Sequence, residues 1–289
     1  MPSPIGFNLL VWTAAISEAM NPIADRLKKI GYDGVECFVD DQPVSVYQQF
    51  GNHLKQTGLR STCVTVVGPE TNPASESAAV REQAVSHLKG VVDRAHAMGA
   101  TVICGPFHSA FATFTRREPQ PNEYARSAEV LHIVGDYAQQ ANIILTPEAL
   151  NRFECYLCNT MTQLAELVRR ADHPSVRAMF DTHHANMEEK LFPEAIRSIA
   201  PVLAHVHISE NDRGTPGDGH IPWDDTFRTL AEVAYTGWMT IEAFTRNDIG
   251  FANSINVWRE FSKPWDIAEN GFAFIKLMQE KYANVPTPP

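Results

Sequence analysis

Short apolar runs alternate with longer amphipathic stretches along the whole chain. The runs are IGFNLLVW (5–12), DGVECFV (33–39), RSTCVTVV (60–67), TVICGPF (101–107), NIILTPE (142–148), VRAMFDT (176–182), LAHVHIS (203–209) and WMTIEAF (238–244). Their β-rich, nearly continuous hydrophobicity suits strands buried on both faces of a parallel sheet. Between them, segments such as 77–99 and 123–141 carry apolar residues every three to four positions, which predicts helices. Gly31, Gly58, Gly99 and Gly237 each follow a helical pattern and precede a strand, as the stops of repeated βα units do. Eight strands and about eight helices in 289 residues give roughly 36 residues per unit. The pattern therefore predicts an α/β fold, a single (β/α)₈ TIM barrel spanning residues 1–289, with the Pro-rich NVPTPP (284–289) as a frayed tail. The structural alternative, a doubly wound open sheet, places a Gly-rich phosphate turn after its first strand, and VWTAAISEAM contains no glycine.

In a barrel of this kind, functional residues gather at the C-terminal ends of the strands. The fifth to eighth runs end with Glu148, Asp181, His207 and Glu242, separated by 33, 26 and 35 residues, each about one βα unit. Singly, each has an ordinary reading. Glu148 fits a turn, Asp181 a helix cap, His207 a core histidine on the same face as His205, and Glu242 a structural ion pair. Jointly, four consecutive strands each deliver one ligand-type side chain to the same level. Three carboxylates so placed need a positive counter-charge, because like charges at short range raise one another's pKa. One divalent ion per chain supplies it. Three carboxylate oxygens and one imidazole suit Mn²⁺ first, then Co²⁺ or Mg²⁺, with Zn²⁺ also accommodated.

Charge narrows the partners. A net charge of −10 and a pI near 5.5 disfavour a nucleic-acid backbone. No apolar stretch reaches the ~20 residues of a membrane helix, and MPSPIGFNLLVWTA lacks the basic n-region of a signal peptide. The cysteines, Cys37, Cys63, Cys104, Cys155 and Cys158, are odd in number and scattered, which points to a reducing cytoplasm. Cys155-x-x-Cys158 has no second pair to complete a zinc site, so its thiols are read as idle.

At these residues the chain resembles the D-tagatose/D-allulose (D-psicose) 3-epimerase family of xylose-isomerase-like TIM barrels. The resemblance is carried by EALNRFE (148–154), DTHHANMEE (181–189), HVHISENDRG (205–214), PGDGHIPW (216–223), IEAF (241–244) and VWRE (257–260). It implies a metal-dependent 3-epimerase acting on free ketohexoses or ketopentoses such as D-tagatose, D-fructose/D-allulose or L-ribulose, and a homo-oligomer, dimer or tetramer. By position, Glu148, Asp181, His207 and Glu242 match the family's metal ligands, and Glu148 and Glu242 its acid/base pair. Glu154, His184 and Arg213 match residues that hold the sugar's oxygens, while Trp12, Phe111 and Phe244 match its apolar walls. Three departures stand out: Pro147 replaces an aliphatic residue, His183 an aromatic one, and PFHSAFATF (106–114) brings His108 toward substrate or metal.

The same barrel hosts rival chemistries. An aldose–ketose or hydroxypyruvate-type isomerase uses similar ligands. A phosphorylated substrate would suit the Gly-rich RGTPGDG after the seventh run, but Asp212 and Asp218 would repel it. An endonuclease IV-like nuclease needs more histidines on strands two to four, where strand two offers only Glu36. A non-catalytic binding barrel would show no metal-dependent turnover.

Overall fold

The computed structural model describes residues 3–286. Eight parallel strands pair in the order β5-β4-β3-β2-β1-β8-β7-β6. They are β1 (Ile5–Asn8), β2 (Gly34–Phe38), β3 (Arg60–Val64), β4 (Val102–Gly105), β5 (Ile144–Pro147), β6 (Ala178–Asp181), β7 (Leu203–Ile208) and β8 (Trp238–Ile241). One bridge, Leu145 to Val176, joins β5 to β6 and brings the ends of the sheet together. The result is a (β/α)₈ barrel.

The helices are α1 (Asn21–Ile30), α2 (Val44–Thr57), α3 (Ala78–Met98), α4 (Pro121–Gln140), α5 (Met161–Ala171), α6 (Thr182–Glu188), α7 (Phe192–Ile199), α8 (Trp223–Glu232), α9 (Ile249–Ser254) and α10 (Pro264–Lys281). The segments expected to be helical at 77–99 and 123–141 are α3 and α4. Gly58 and Gly99 end α2 and α3 with φ of 72° and 82°, the left-handed caps the sequence suggests. Gly237 works differently. Its φ is not positive, and an added Cβ would stand 2.6 Å from the Ala204 carbonyl oxygen, so it permits close backbone approach. Among the described residues, no helix is long and apolar enough to cross a membrane. The last three residues of the Pro-rich tail lie outside the described residues.

The strands are shorter than the apolar runs, and local hydrogen bonding shows why. Asn8 Oδ1 accepts from Leu10 N at 2.9 Å and turns the chain into a 3₁₀ turn at Leu9–Val11. Proline at the end of β5 also has a place. Leu145 N donates to Ser175 O and Leu145 O accepts from Arg177 N, both at 2.8 Å, so residue 145 faces β6. In a parallel strand residue 147 faces the same way, beyond the last bond of that seam. Its missing N–H thus costs no ladder bond, while Glu148 N on the other side still donates to Gly105 O at 3.0 Å.

Between barrel and helices the core is apolar, built on side chains such as Phe7, Tyr32, Phe107 and Phe180. Inside the barrel the character changes. Glu36, Thr62, Cys104, Thr146, His205, His207 and Thr240 are all buried there, a polar column that leads up to the strand ends.

Candidate active site and metal centre

Each strand end positions its side chain by ordinary local rules. Asp181 ends β6 and is also the N-cap of α6, its Oδ1 accepting from the backbone N–H of His183 at 2.6 Å and His184 at 3.3 Å. The capping bonds leave Oδ2 facing the mouth, where Ser209 Oγ donates at 3.2 Å. The helix-cap and ligand readings of Asp181 therefore both describe the same carboxylate. His207 sits beside Asp181 in the β6–β7 register. Glu242 follows β8 directly, its N–H donating to Ile208 O at 3.3 Å. Glu148, Asp181, His207 and Glu242 are all buried, and each offers one ligand atom within 4.8 Å of the others.

These donors fit a divalent ion. Glu148 Oε1 and His207 Nδ1 are buried polar atoms without a hydrogen-bond partner, and a stable fold leaves few of those unexplained. Oxygen-rich ligation with one imidazole is the set that hard divalent ions accept. The electrostatics agree. Burial, then the neighbouring Glu242 and Asp181 carboxylates, push the Glu148 carboxyl well above its usual range. Burial acts the same way on Asp181, but Arg213 above all, and then His207, override it and hold that carboxyl well below its usual value. Burial opposes a charged His207, yet Glu242 and Glu36 carry its pKa well above normal. The pocket thus concentrates negative charge and draws every nearby cation toward it.

Arg213 is the fixed cation of the site. Its Nη1 donates to Asp181 Oδ2 at 3.0 Å and Glu242 Oε2 at 2.8 Å, and its guanidinium lies 4.8 Å from the centre of the Phe244 ring. Burial works against its charge, but Asp181, Glu242, Glu154 and Glu148 keep it protonated beyond its ordinary range. His184 Nδ1 lies 3.2 Å from Asn151 N and 3.0 Å from Asn151 Nδ2, and its Nε2 lies 3.0 Å from Arg213 Nη2. Nδ1 therefore accepts from the Asn151 backbone N–H, and the ring stays neutral, with burial and then Arg213 lowering its pKa despite the Asp181 carboxylate.

Above these groups lies a cavity of about 900 Å³. Glu148, Glu242, Glu154, His184 and Arg213 line it, and so do Phe111 and Phe244. Glu154 accepts from Asn151 Nδ2 at 2.8 Å, while Arg152 turns away to pair with Glu188 at 2.9 Å. His183 also lines the cavity, with burial and then Arg213 lowering its pKa to about 4. Segment 255–261 forms a wall through Val257, Arg259 and Phe261.

Trp12, expected as an apolar wall, and His108, expected toward substrate or metal, lie elsewhere. Trp12 packs between Phe7 at 5.3 Å and Trp265 at 4.8 Å, because the 3₁₀ turn after β1 swings it outward into the helix layer. His108 is fully buried beneath the cavity wall, with Nε2 3.6 Å from Cys155 Sγ. Burial alone would raise the Cys155 thiol, but His108 and Ser109 bring it down to about 7. All five cysteines are free and buried.

Sequence reasoning passed over two buried carboxylates. Glu210 accepts from Asn211 N, Gly217 N, Ile221 N and Trp223 Nε1 at 2.8–3.2 Å, and so shapes the Gly-rich loop after β7. Glu36 lies inside the barrel within reach of His207. Its signal was available: a charged residue in the middle of GVECF, a run buried on both faces.

The comparisons with known proteins agree with this geometry. The sequence model of the xylose isomerase-like TIM barrel family matches residues 24–276. The D-psicose 3-epimerase of Agrobacterium fabrum is 29% identical over 277 residues, covering 92% of this chain and 96% of that one. That of Ruminiclostridium cellulolyticum is 30% identical over 248 residues, 84% of each chain. Among solved structures, a D-psicose 3-epimerase determined in the presence of D-fructose superposes with a TM-score of 0.87 at 26% identity, covering 97% of this chain and all of that one. An L-ribulose 3-epimerase matches in fold with a TM-score of 0.89 at 24% identity, over 97% and 96% of the two chains. With matches that run nearly end to end and four ligand-type side chains converging at the barrel mouth, the chain belongs to the xylose isomerase-like TIM barrel family and to its ketose 3-epimerases.

Proposed function

We propose that the protein is a divalent-metal-dependent 3-epimerase of free ketoses, with D-tagatose, D-fructose/D-allulose and L-ribulose as the substrates to test first. The observation that carries this reading is the convergence of Glu148 and Glu242 from strands three apart, with Asp181 and His207 beside them. Epimerisation at C3 removes a proton beside the C2 carbonyl and returns one to the opposite face. Two bases are needed, one on each side of the planar enediolate, and Glu148 and Glu242 border the same cavity. Glu148, Asp181, His207 and Glu242 would hold the ion, Mn²⁺ first, which supplies Lewis-acid stabilisation of charge developing on the substrate oxygens.

The remaining groups orient the sugar. Arg213 presents a buried, permanently charged donor to the reacting end. His184 is held by Asn151 so that Nε2 faces Arg213 and Glu148, placing a neutral imidazole beside the base. Glu154, whose pKa burial raises above the ordinary range, can share a proton with a sugar hydroxyl. Phe111 and Phe244 exclude water along the apolar face of the substrate.

The test is a ketose panel run after chelation and after separate Mn²⁺, Co²⁺ and Mg²⁺ add-back, with products assigned by NMR in D₂O. C3 epimers carrying deuterium at C3 are expected. Aldose products would transfer the site to C1–C2 isomerisation, and turnover unchanged by chelation would remove the metal from the scheme. Glu148→Gln should lower kcat by about 10²–10⁴-fold in both directions. Near-normal epimerisation by that variant would sink the two-base mechanism.

A further inference from the structure

Glu36 is a fully enclosed carboxylate beside the site, and the proposed mechanism gives it no task. It sits in the middle of β2 with no exposed surface and does not line the cavity. Its Oε1 accepts from Asn8 Nδ2 at 2.9 Å and lies 2.8 Å from His207 Nε2. Its Oε2 accepts from Thr62 Oγ1 at 2.8 Å and Cys104 Sγ at 3.2 Å, and lies 2.9 Å from His205 Nε2. A carboxylate this buried is costly unless donors surround it, and here they come from β1, β3, β4 and β7. So complete a set of donors stabilises an ionised, acceptor-only group.

An acceptor-only partner decides which nitrogen of His207 carries hydrogen. Nε2 faces Glu36 and must donate, so Nδ1, 3.5 Å from Asp181 Oδ2 and 3.3 Å from Glu242 Oε2, is the nitrogen that gives up its hydrogen and offers its lone pair when an ion is bound. We propose that Glu36 is the positioning residue of the metal centre, fixing the ring and tautomer of His207 so that Nδ1 is presented to the ion. Asn8 extends the same control to a second ligand. Its Nδ2 lies 2.9 Å from Glu36 and 3.4 Å from Glu242 Oε1, while its Oδ1 is anchored by Leu10 N. Carboxylate partners of this kind orient metal-bound histidines and raise their basicity.

Glu36, Cys104, His205 and His207 could also be taken as a second metal site, since their donor atoms cluster as closely as those of the first. The distances argue otherwise. A tetrahedral ion with bonds of ~2.0–2.1 Å would hold its donors about 3.3 Å apart, whereas Glu36 lies 2.8 Å from His207 Nε2 in a direct hydrogen bond and 2.9 Å from His205 Nε2, both closer than two ligands of one such ion.

This inference rests on reading the four strand ends as a metal centre, and the experiment separates the two. The full-length protein is stripped of metal and titrated with Mn²⁺, with free ion followed by EPR, for the wild type and Glu36→Gln. One Mn²⁺ per wild-type chain is expected, with affinity about 10–100-fold weaker in Glu36→Gln. KM for the ketose at saturating Mn²⁺ should be unchanged, and the far-UV circular dichroism of the two metal-free proteins should match. Equal affinity in the folded variant overturns the positioning role, and two ions per chain overturns it in favour of a second site. A wild type that binds no Mn²⁺ removes the metal centre itself. A measurement on the wild type guards against a variant that does not fold: ¹⁵N NMR of the Mg²⁺-loaded protein should show hydrogen on His207 Nε2, and hydrogen on Nδ1 would refute the proposal.

Discussion

Asp181 carries two tasks on its two oxygens, and substitutions can separate them. Oδ1 caps α6 through the N–H groups of His183 and His184, and Oδ2 meets Arg213 and the cavity side. Asparagine keeps a capping oxygen and caps about as well as aspartate, whereas alanine leaves both N–H groups without a partner. Asp181→Asn and Asp181→Ala therefore lose the same charge, and their difference isolates the cap. Such a cap is worth about 0.5–2 kcal/mol, and the buried first turn at Thr182, His184 and Ala185 denies its N–H groups water. The upper half of the range applies, so Asp181→Ala should be about 1–2 kcal/mol less stable than Asp181→Asn. For a chain of 289 residues that is a difference of roughly 1.5–3.5 °C in melting temperature. The assay is thermal unfolding of both proteins in chelator, followed by circular dichroism. Both variants should lose Mn²⁺-dependent epimerisation. Coincident melting curves would show that Oδ1 does not support α6.

Two further predictions concern the loops beside the cavity. His183 has its pKa lowered to about 4 by burial and then Arg213, against ~6.5 in an unfolded chain. Between those values the unfolded chain binds more protons, so this ring contributes stability that is present above ~6.5 and lost as pH falls toward about 4. Urea midpoints of the metal-free protein should fall less steeply across that window in His183→Gln than in the wild type; parallel curves would contradict the linkage. Glu210→Gln replaces one carboxylate oxygen of the β7–α8 loop by a donor and leaves a pair of buried N–H groups unaccepted, at a cost of about 2–4 kcal/mol. Hydrogen exchange should speed up at the Gly217 and Ile221 amides, and unchanged protection would refute this account of the loop.

Repetition made the barrel legible in the chain. Eight apolar runs at near-even spacing leave few topologies open, and the ligand-type residues stood out because they recur at the same point of successive units. What stayed hidden depends on direction rather than spacing. Trp12 lies near the strand end in sequence, but the 3₁₀ turn set by Asn8 aims it into the helix layer. His108 lies on a loop after a strand, as a substrate contact would, yet its ring turns down onto Cys155. Glu36 carried the same signal as Glu242, a carboxylate among apolar neighbours, but it sits within its strand and not at the end. Only the closed barrel brings β2 across to β7, so the link between Glu36 and His207 spans 171 residues with no local trace.

The seam between β5 and β6 has a consequence for how the barrel holds shut. Among the described residues every other neighbouring pair of strands is joined by a ladder, while these two share a single bridge near their start, made by the two backbone bonds of Leu145 to Ser175 and Arg177. Glu148 and Asp181 stand at the far ends of these two strands, one on each side of the gap. An ion gripped by both would act as a clasp, fastening with side chains the one join that the main chain leaves loose. Loading the metal would then tighten the circumference of the barrel as well as arming its mouth, and the protection it brings should be greatest along this edge.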